Sequence, residues 1–152
     1  MIQRIQSLFL LASSVLIFVL SFTPWWEGQY NGESLFFAMG TFNLEGFESS
    51  VLLILFGLSL LSGLVMLSNI FLYKQRKLQM KITQVSGAMV SLVLGLGHWF
   101  LSKSVSSDQF ENLSGDFTFY FWLYVLAILL NAAARIFIKK DDDLVKSVDR
   151  FR

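Results

Sequence analysis

The sequence predicts an all-α membrane protein in which four transmembrane helices form an up-and-down bundle with both termini in the cytoplasm. Three observations lead to this prediction: four long runs of nearly uncharged residues, a one-sided distribution of Lys and Arg, and aromatic residues at the ends of the runs. Hydrophobic residues make up 55% of the 152-residue chain, against roughly 45–50% in soluble domains. The mean hydropathy is +0.60. The excess apolar surface has to face lipid or a partner.

Four runs are long enough to cross a bilayer, whose core of about 30 Å requires roughly 20 helical residues. They are residues 5–24, 51–73, 82–101 and 117–138. The only formal charge inside them is Arg135, near the end of the fourth run. The first run has no small-x-small cleavage site after its apolar core, so we expect an uncleaved span. Residues 1–152 then form a single membrane domain.

The basic residues predict the orientation, because short loops rich in Lys and Arg stay in the cytoplasm. Of the 12 basic residues, all but Lys103 lie before the first run, in the loop 74–81, or from the end of the fourth run through the tail 139–152. The acidic segments 25–50 and 102–116 are therefore outer loops. The expected location is the bacterial inner membrane, with the lipid bilayer as the main partner.

The outer loop 25–50 contains a hairpin signal. Asn31-Gly32 suits a type I′ turn, so residues 25–30 and 33–38 are predicted to form two short paired strands. Large apolar side chains exposed in water are unfavourable, so the loop is expected to lie against the bilayer surface, the helix ends or a partner. The residues assigned to this contact are Trp25, Trp26, Phe36 and Phe37.

The tail 139–152 predicts a short amphipathic cytoplasmic helix of its own. Three consecutive Asp residues, 141–143, would cap its start, and basic residues lie toward its end. Its apolar face consists of Leu144, Val145, Val148 and Phe151. Two occupants fit this face, namely the membrane surface beside the basic loop and a cytoplasmic protein. The sequence leaves both open.

Small residues recur on the second and third runs at intervals that let helix backbones approach closely. They are Gly57, Gly63, Gly87, Ser91 and Gly95. Such residues either close the bundle on itself or join it to another protein, and a single sequence does not decide between these two interpretations.

Four polar residues project toward the cytoplasmic half of the predicted bundle. They are Asn69, Gln84, Asn131 and Arg135. An unpaired polar group in hydrocarbon costs several kcal/mol, so these side chains are expected to form one hydrogen-bonded cluster near the inner leaflet. A pocket for a substrate or a lipid headgroup is the alternative interpretation.

No residue pattern predicts catalysis, a cofactor or a metal site. The chain has no Cys, which excludes thiol catalysis and thiolate ligands. Its single histidine, His98, has no carboxylate within the runs to share a metal with. No Asp, Glu or Lys lies at the middle of a run, where coupled transporters usually carry one. We therefore expect a protein that is not an enzyme and does not bind nucleic acid.

The two ends of the chain resemble a known family. Residues 1–6 (MIQRIQ) before a long apolar run, and residues 140–152 (KDDDLVKSVDRFR), are similar to the Bacteroidota membrane-protein family called domain of unknown function 4293. The resemblance implies a small inner-membrane protein and supplies no catalytic residues. Both recurring ends face the cytoplasm in the predicted topology, where they would meet each other or share a partner.

The leading functional hypothesis is a non-catalytic accessory or assembly subunit of a larger inner-membrane complex, in protein export, membrane insertion or envelope assembly. The alternative is a homo-oligomer that binds a small molecule or lipid for transport or sensing, with a cavity lined by Asn69, Asn131, Arg135 and His98. A third hypothesis, an enzyme that uses Glu27, Glu45 and His98, has the least support.

Overall fold

The computed structural model describes residues 2–30, 33–38, 49–105 and 114–150. These residues form four α-helices, one 3-10 turn and three β-strands. The helices are α1 (Ile2–Leu20), α2 (Ser49–Asn69), α3 (Arg76–Val105) and α4 (Phe119–Arg150), and the 3-10 turn is Ile70–Leu72. The strands are β1 (Pro24–Tyr30), β2 (Glu33–Ala38) and β3 (Ser114–Phe117). The predicted set of four helices is confirmed.

Three helical stretches are long and apolar enough to cross a membrane. They are Ser50–Leu72, Arg76–Lys103 and Phe119–Ser147, with mean hydropathies of 2.5, 1.5 and 2.0. The apolar part of α1, Ile5–Leu20, is shorter. The predicted span 5–24 was too long, because Pro24 begins β1 and the chain leaves the helical conformation before a proline.

The four helices form a ring in which α1 and α3 each pack against both α2 and α4. At one end of this ring lie the three strands, and we call it the sheet end. At the other end lie Lys74 of the α2–α3 connection and Arg76 and Lys77 at the start of α3, and we call this end the basic end. A small apolar cluster of Leu10, Ala134 and Ile138 fills the core near the basic end. The larger apolar cluster extends toward the sheet end.

Helix α4 continues without a break through residues 139–150, so the predicted separate tail helix is wrong. No Gly or Pro interrupts this stretch. Asp141, which was expected to cap a new helix, instead accepts a hydrogen bond of 2.7 Å from Arg76 Nε of α3. Asp142 pairs with Lys146 one turn later along α4. These ion pairs occupy the side chains that would otherwise mark a helix start.

The sheet has the strand order β2-β1-β3, with both pairs antiparallel. The predicted hairpin between residues 25–30 and 33–38 is confirmed, although its turn residues lie outside the described residues. Strand β3 was not predicted. Along β2, Leu35 and Phe37 are buried while the residues between and before them are exposed, so one sheet face covers the ends of the helices.

The position of Trp26 explains why β1 and β3 carry glycine at two directly paired positions. Gly28 of β1 pairs with Gly115 of β3, and the Trp26 indole lies over both. A Cβ atom on either glycine would overlap this ring, and on Gly28 it would also lie 2.8 Å from the carbonyl oxygen of Ser114. The two glycines thus let a large aromatic ring lie close against the sheet.

Trp25 anchors the sheet to the helices. Its ring centroid lies 4.8 Å from that of Phe37, 6.1 Å from that of Phe117 and 6.3 Å from that of Phe121. An irregular register between Pro24 and Trp26 allows both tryptophans to be buried. This aromatic cluster contains one residue from each strand and Phe121 of α4. It therefore joins the inner face of the sheet to the start of α4.

Replacing Gly115 by Ala is expected to destabilise the protein by about 1–3 kcal/mol, because the new methyl group overlaps the Trp26 ring. Unfolding in detergent, followed by tryptophan fluorescence, measures the change. Gly57→Ala is the control, since a Cβ at Gly57 meets nothing within 4 Å and alanine favours a helix. Equal stability of the two variants would contradict the packing of Trp26 on the glycine pair.

Candidate functional site

The interior of the bundle is polar along much of its length, and each helix contributes to it. The fully buried polar side chains inside the bundle are Gln6, Ser13, Ser14, Ser21, Ser59, Ser62, Asn69, Gln79, Thr83, Ser86 and Asn131. Buried polar groups need hydrogen-bond partners, so these side chains fix how the helices fit together. They are the strongest candidates for a functional site.

Asn69 and Gln79 join α2 to α3 by a reciprocal pair of hydrogen bonds. The Asn69 Nδ2 atom donates to the backbone oxygen of Gln79 at 3.2 Å, and the Gln79 Nε2 atom donates to the backbone oxygen of Asn69 at 3.2 Å. Asn69 Nδ2 also donates to the Thr83 hydroxyl at 2.7 Å. Asn69 ends α2 and Gln79 lies near the start of α3, so the pair closes this helical hairpin.

Asn131 extends the same set of bonds to α4. Its Nδ2 atom donates to the backbone oxygen of Thr83 at 2.8 Å. Gly87, one turn after Thr83, makes room for the amide, because a Cβ there would lie 2.5 Å from Asn131 Nδ2. We refer to Asn69, Gln79, Thr83 and Asn131 as the amide layer. It connects three of the four helices.

Serine hydroxyls join the helices nearer the sheet end. Ser13 of α1 donates to the backbone oxygen of Ala127 in α4 at 2.7 Å, and Ser14 donates to that of Gly63 in α2 at 2.9 Å. Ser21 and Ser59 share a hydrogen bond of 2.7 Å between their hydroxyls. Serine–backbone bonds of this kind require close helix approach, which small side chains permit.

The predicted polar cluster is only partly brought together. Asn69 and Asn131 belong to the amide layer, whereas Gln84 and Arg135 are exposed. Gln84 follows the buried Thr83 by one residue, which turns it about 100° around the helix and out of the core. The sequence reasoning missed Gln79 and Thr83. Gln79 and Thr83 lie four residues apart, as do the buried Ser86 and Val90. This helical spacing was the signal that could have placed Gln79 and Thr83 on the buried face.

The predicted packing residues divide into two groups. Gly63 lies against the Phe18 ring, with its Cβ position 3.3 Å from that ring, and Gly87 lies against Asn131. Gly57 and Gly95 face outward, and a Cβ on either would meet nothing within 4 Å. Ser91 is also exposed, and its hydroxyl bonds to the backbone oxygen of Gly87 in its own helix.

The residues predicted to contact a partner or the membrane surface also divide into two groups, one buried and one exposed. Trp25, Trp26 and Phe37 are buried by their own chain in one cluster with helix residues, which agrees with the expected contact to the helix ends and leaves little of these side chains for a partner or the membrane surface. The exposed fraction is 39% for Phe36 and 51% for Leu144. Val145 is also exposed. The side chain of Val148 and all of Phe151 lie outside the described residues.

His98 is exposed, and its ring centroid lies 5.5 Å from that of Phe117. Among the residues that the structure describes, no three His, Asp or Glu side chains are gathered in a way that could hold a metal ion. Glu27 and Asp116 face each other across β1 and β3 on the outward sheet face. They border an open groove of about 510 Å³.

These observations describe a bundle of apolar helices with a hydrogen-bonded polar interior, closed at one end by a small sheet. The family model for "Domain of unknown function (DUF4293)" matches residues 2–151. The chain therefore belongs to that family, as the resemblance of its two ends predicted. No curated protein matches the chain.

Replacing Thr83 by Val is expected to destabilise the bundle by about 1 kcal/mol. The change removes the hydroxyl that accepts from Asn69 Nδ2 and that donates to the backbone oxygen of Gln79 at 2.8 Å, while it keeps the side-chain volume. Unfolding by a denaturing detergent measures the loss. Ser91→Ala serves as the control because the Ser91 hydroxyl bonds only within its own helix. If both variants unfold alike, the amide layer does not hold the helices together.

Proposed function

We propose that this protein is a non-catalytic accessory or assembly subunit of a larger complex in the inner membrane of Bacteroidota, with both termini in the cytoplasm. Protein export, membrane insertion and envelope assembly are the processes to be examined first. In this proposal all four helices cross the bilayer, and α1 does so as the shortest of them.

The distribution of charge supports this orientation. Lys74, Arg76 and Lys77 cluster at the basic end, and cytoplasmic loops are enriched in such residues. The sheet end carries Glu27 and Asp116 on its outward face. Exposed tryptophans at the sheet ends of α3 and α4 match the aromatic belt of a membrane interface.

The outward face of α3 is the observation that carries the proposal of a partner. Gln84, Ser91, Gly95 and His98 are all exposed, and their spacing puts them on one side of the helix. A polar amide that faces lipid is unfavourable, and Gly95 offers open space where another backbone can approach. This face therefore suits a helix of another membrane protein rather than lipid.

Helix α2 provides the contrast. Its outward face carries Leu53, Ile54, Leu61 and Leu64, all at least 48% exposed. Gly57 lies among them, with nothing within 4 Å of its Cβ position. Leu and Ile side chains are the usual neighbours of lipid tails. Helix α3 also exposes Val85, Leu92 and Leu96 beside its polar residues, so the two helices differ in the polar stripe and not in the presence of exposed apolar side chains.

The alternative of a ligand-binding homo-oligomer receives less support. It requires a cavity lined by Asn69, Asn131, Arg135 and His98. The first two donate hydrogen bonds inside the amide layer, whereas Arg135 and His98 are exposed on the outside of the bundle. The enzyme hypothesis gains nothing from the structure either, since Glu27 is exposed on the sheet and Glu45 lies outside the described residues.

Replacing Gly95 by Leu is expected to reduce the recovery of co-purifying membrane proteins at least several-fold, because the larger side chain blocks close approach of a partner helix to α3. Affinity purification in a mild detergent, followed by mass spectrometry and native mass measurement, quantifies the partners.

Gly57→Leu is the matched control, since it makes the same change on the exposed face of α2. We expect this variant to retain the partners of the wild-type protein. Recovery of the wild-type protein alone, as a monomer or homo-oligomer, would contradict the proposal. Equal loss of partners in both variants would show that the α3 face is not the contact.

A further inference from the structure

We propose that the amide layer, together with Gln6, binds ordered water molecules inside the basic half of the bundle. The proposal starts from four amide oxygens: Gln6 Oε1, Asn69 Oδ1, Gln79 Oε1 and Asn131 Oδ1. Each is buried and accepts no hydrogen bond from the described residues. Their residues are at most 3% exposed.

Turning the amide groups over does not pair these oxygens. Asn69, Gln79 and Asn131 each donate from their nitrogen to a backbone carbonyl oxygen. A carbonyl oxygen only accepts, so an amide turned by 180° would place two acceptors against each other. The three nitrogens are therefore fixed, and with them the three oxygens. The occupant of this site has to be a donor of hydrogen bonds.

Gln6 adds a fourth oxygen and an unpaired donor to the same region. Leu10, one turn further along α1, packs in a cluster with Ile70 and Met80. These two residues directly follow Asn69 and Gln79 in the sequence. Gln6 is completely buried, and neither its Oε1 nor its Nε2 atom has a partner among the described residues. A bound molecule beside Gln6 therefore needs to accept as well as donate.

Water meets both requirements. One water donates two hydrogen bonds and accepts others, so at least two waters are needed to reach four oxygens. A cation would supply no acceptor for Gln6 Nε2, and its charge would need compensation in a buried, neutral site. The two buried carboxylates toward the basic end, Asp141 and Asp142, are already paired with Arg76 and Lys146. These arguments favour neutral water over a metal ion.

Nuclear magnetic resonance of the intact protein in detergent micelles tests the proposal on the wild-type chain. We expect rotating-frame Overhauser transfer from long-lived water to the side-chain amides of Gln6, Asn69, Gln79 and Asn131, with the sign of dipolar contact rather than chemical exchange. The exposed amide of Gln84 is the internal control and should show only exchange. Absence of transfer to the buried amides would overturn the proposal.

Asn131→Leu provides a second test by the same resonance measurement. The substitution also removes the bond from Asn131 Nδ2 to the Thr83 backbone oxygen, so a lower melting temperature is expected with or without water and is not the readout. If water bridges the layer, removing one ligand should reduce the transfer from water to the remaining amides of Gln6, Asn69 and Gln79 at least several-fold relative to Gln84→Leu. Undiminished transfer to these amides contradicts the proposal.

Exchange of the cation separates water from a metal ion. The melting temperature of the wild-type protein is measured in sodium, potassium and choline chloride at equal ionic strength. Equal values exclude a monovalent cation as the occupant. A higher melting temperature with sodium or potassium, lost in Asn131→Leu, would replace the water proposal by a monovalent cation site.

Discussion

A polar group inside an apolar bundle has to bond to another part of the chain, and this constraint determines how the helices fit together. Apolar side chains can pack at many rotations of a helix about its own axis. The bonds from the Asn69 amide to Thr83 and to the Gln79 backbone require one particular rotation. Each such bond contributes about 1 kcal/mol. Their greater effect is to fix the rotation of α2, α3 and α4 together, and thereby which residues face outward.

The outward faces follow from that rotation. Because Thr83 and Ser86 point into the bundle, Gln84 and Ser91 point away from it. A turn of α3 by one residue would bury Gln84 and move Thr83 to the half-buried position of Ile82. The polar interior and the polar outer stripe of α3 are thus two consequences of one helix orientation. The sheet closes the opposite end, where Trp25 packs against Phe37 and Phe117 and Trp26 packs against two glycines.

The sequence predicts the helices, the hairpin and the family, because length, charge and turn signals are local. It does not predict which side of an apolar helix is buried: α2 carries large apolar residues on every side, so Gly57 and Gly63 look alike in sequence although Gly57 faces outward and Gly63 packs on Phe18. Strand β3 was missed because Ser-Gly-Asp-Phe becomes a strand only by pairing with β1. The sequence left three contacts open for Trp25, namely the bilayer surface, the helix ends and a partner, because its contacts with Phe37 and Phe117 are long-range.

The account depends on helices that cross a bilayer with the sheet end outside and the basic end in the cytoplasm. The chain has no cysteine, so single replacements at two exposed positions, Ser34→Cys on the sheet and Lys77→Cys at the basic end, can be labelled without background. In sealed right-side-out vesicles, a membrane-impermeant maleimide should label the Ser34 variant at once and the Lys77 variant only after the membrane is opened. Labelling of the Lys77 variant in sealed vesicles would contradict the account.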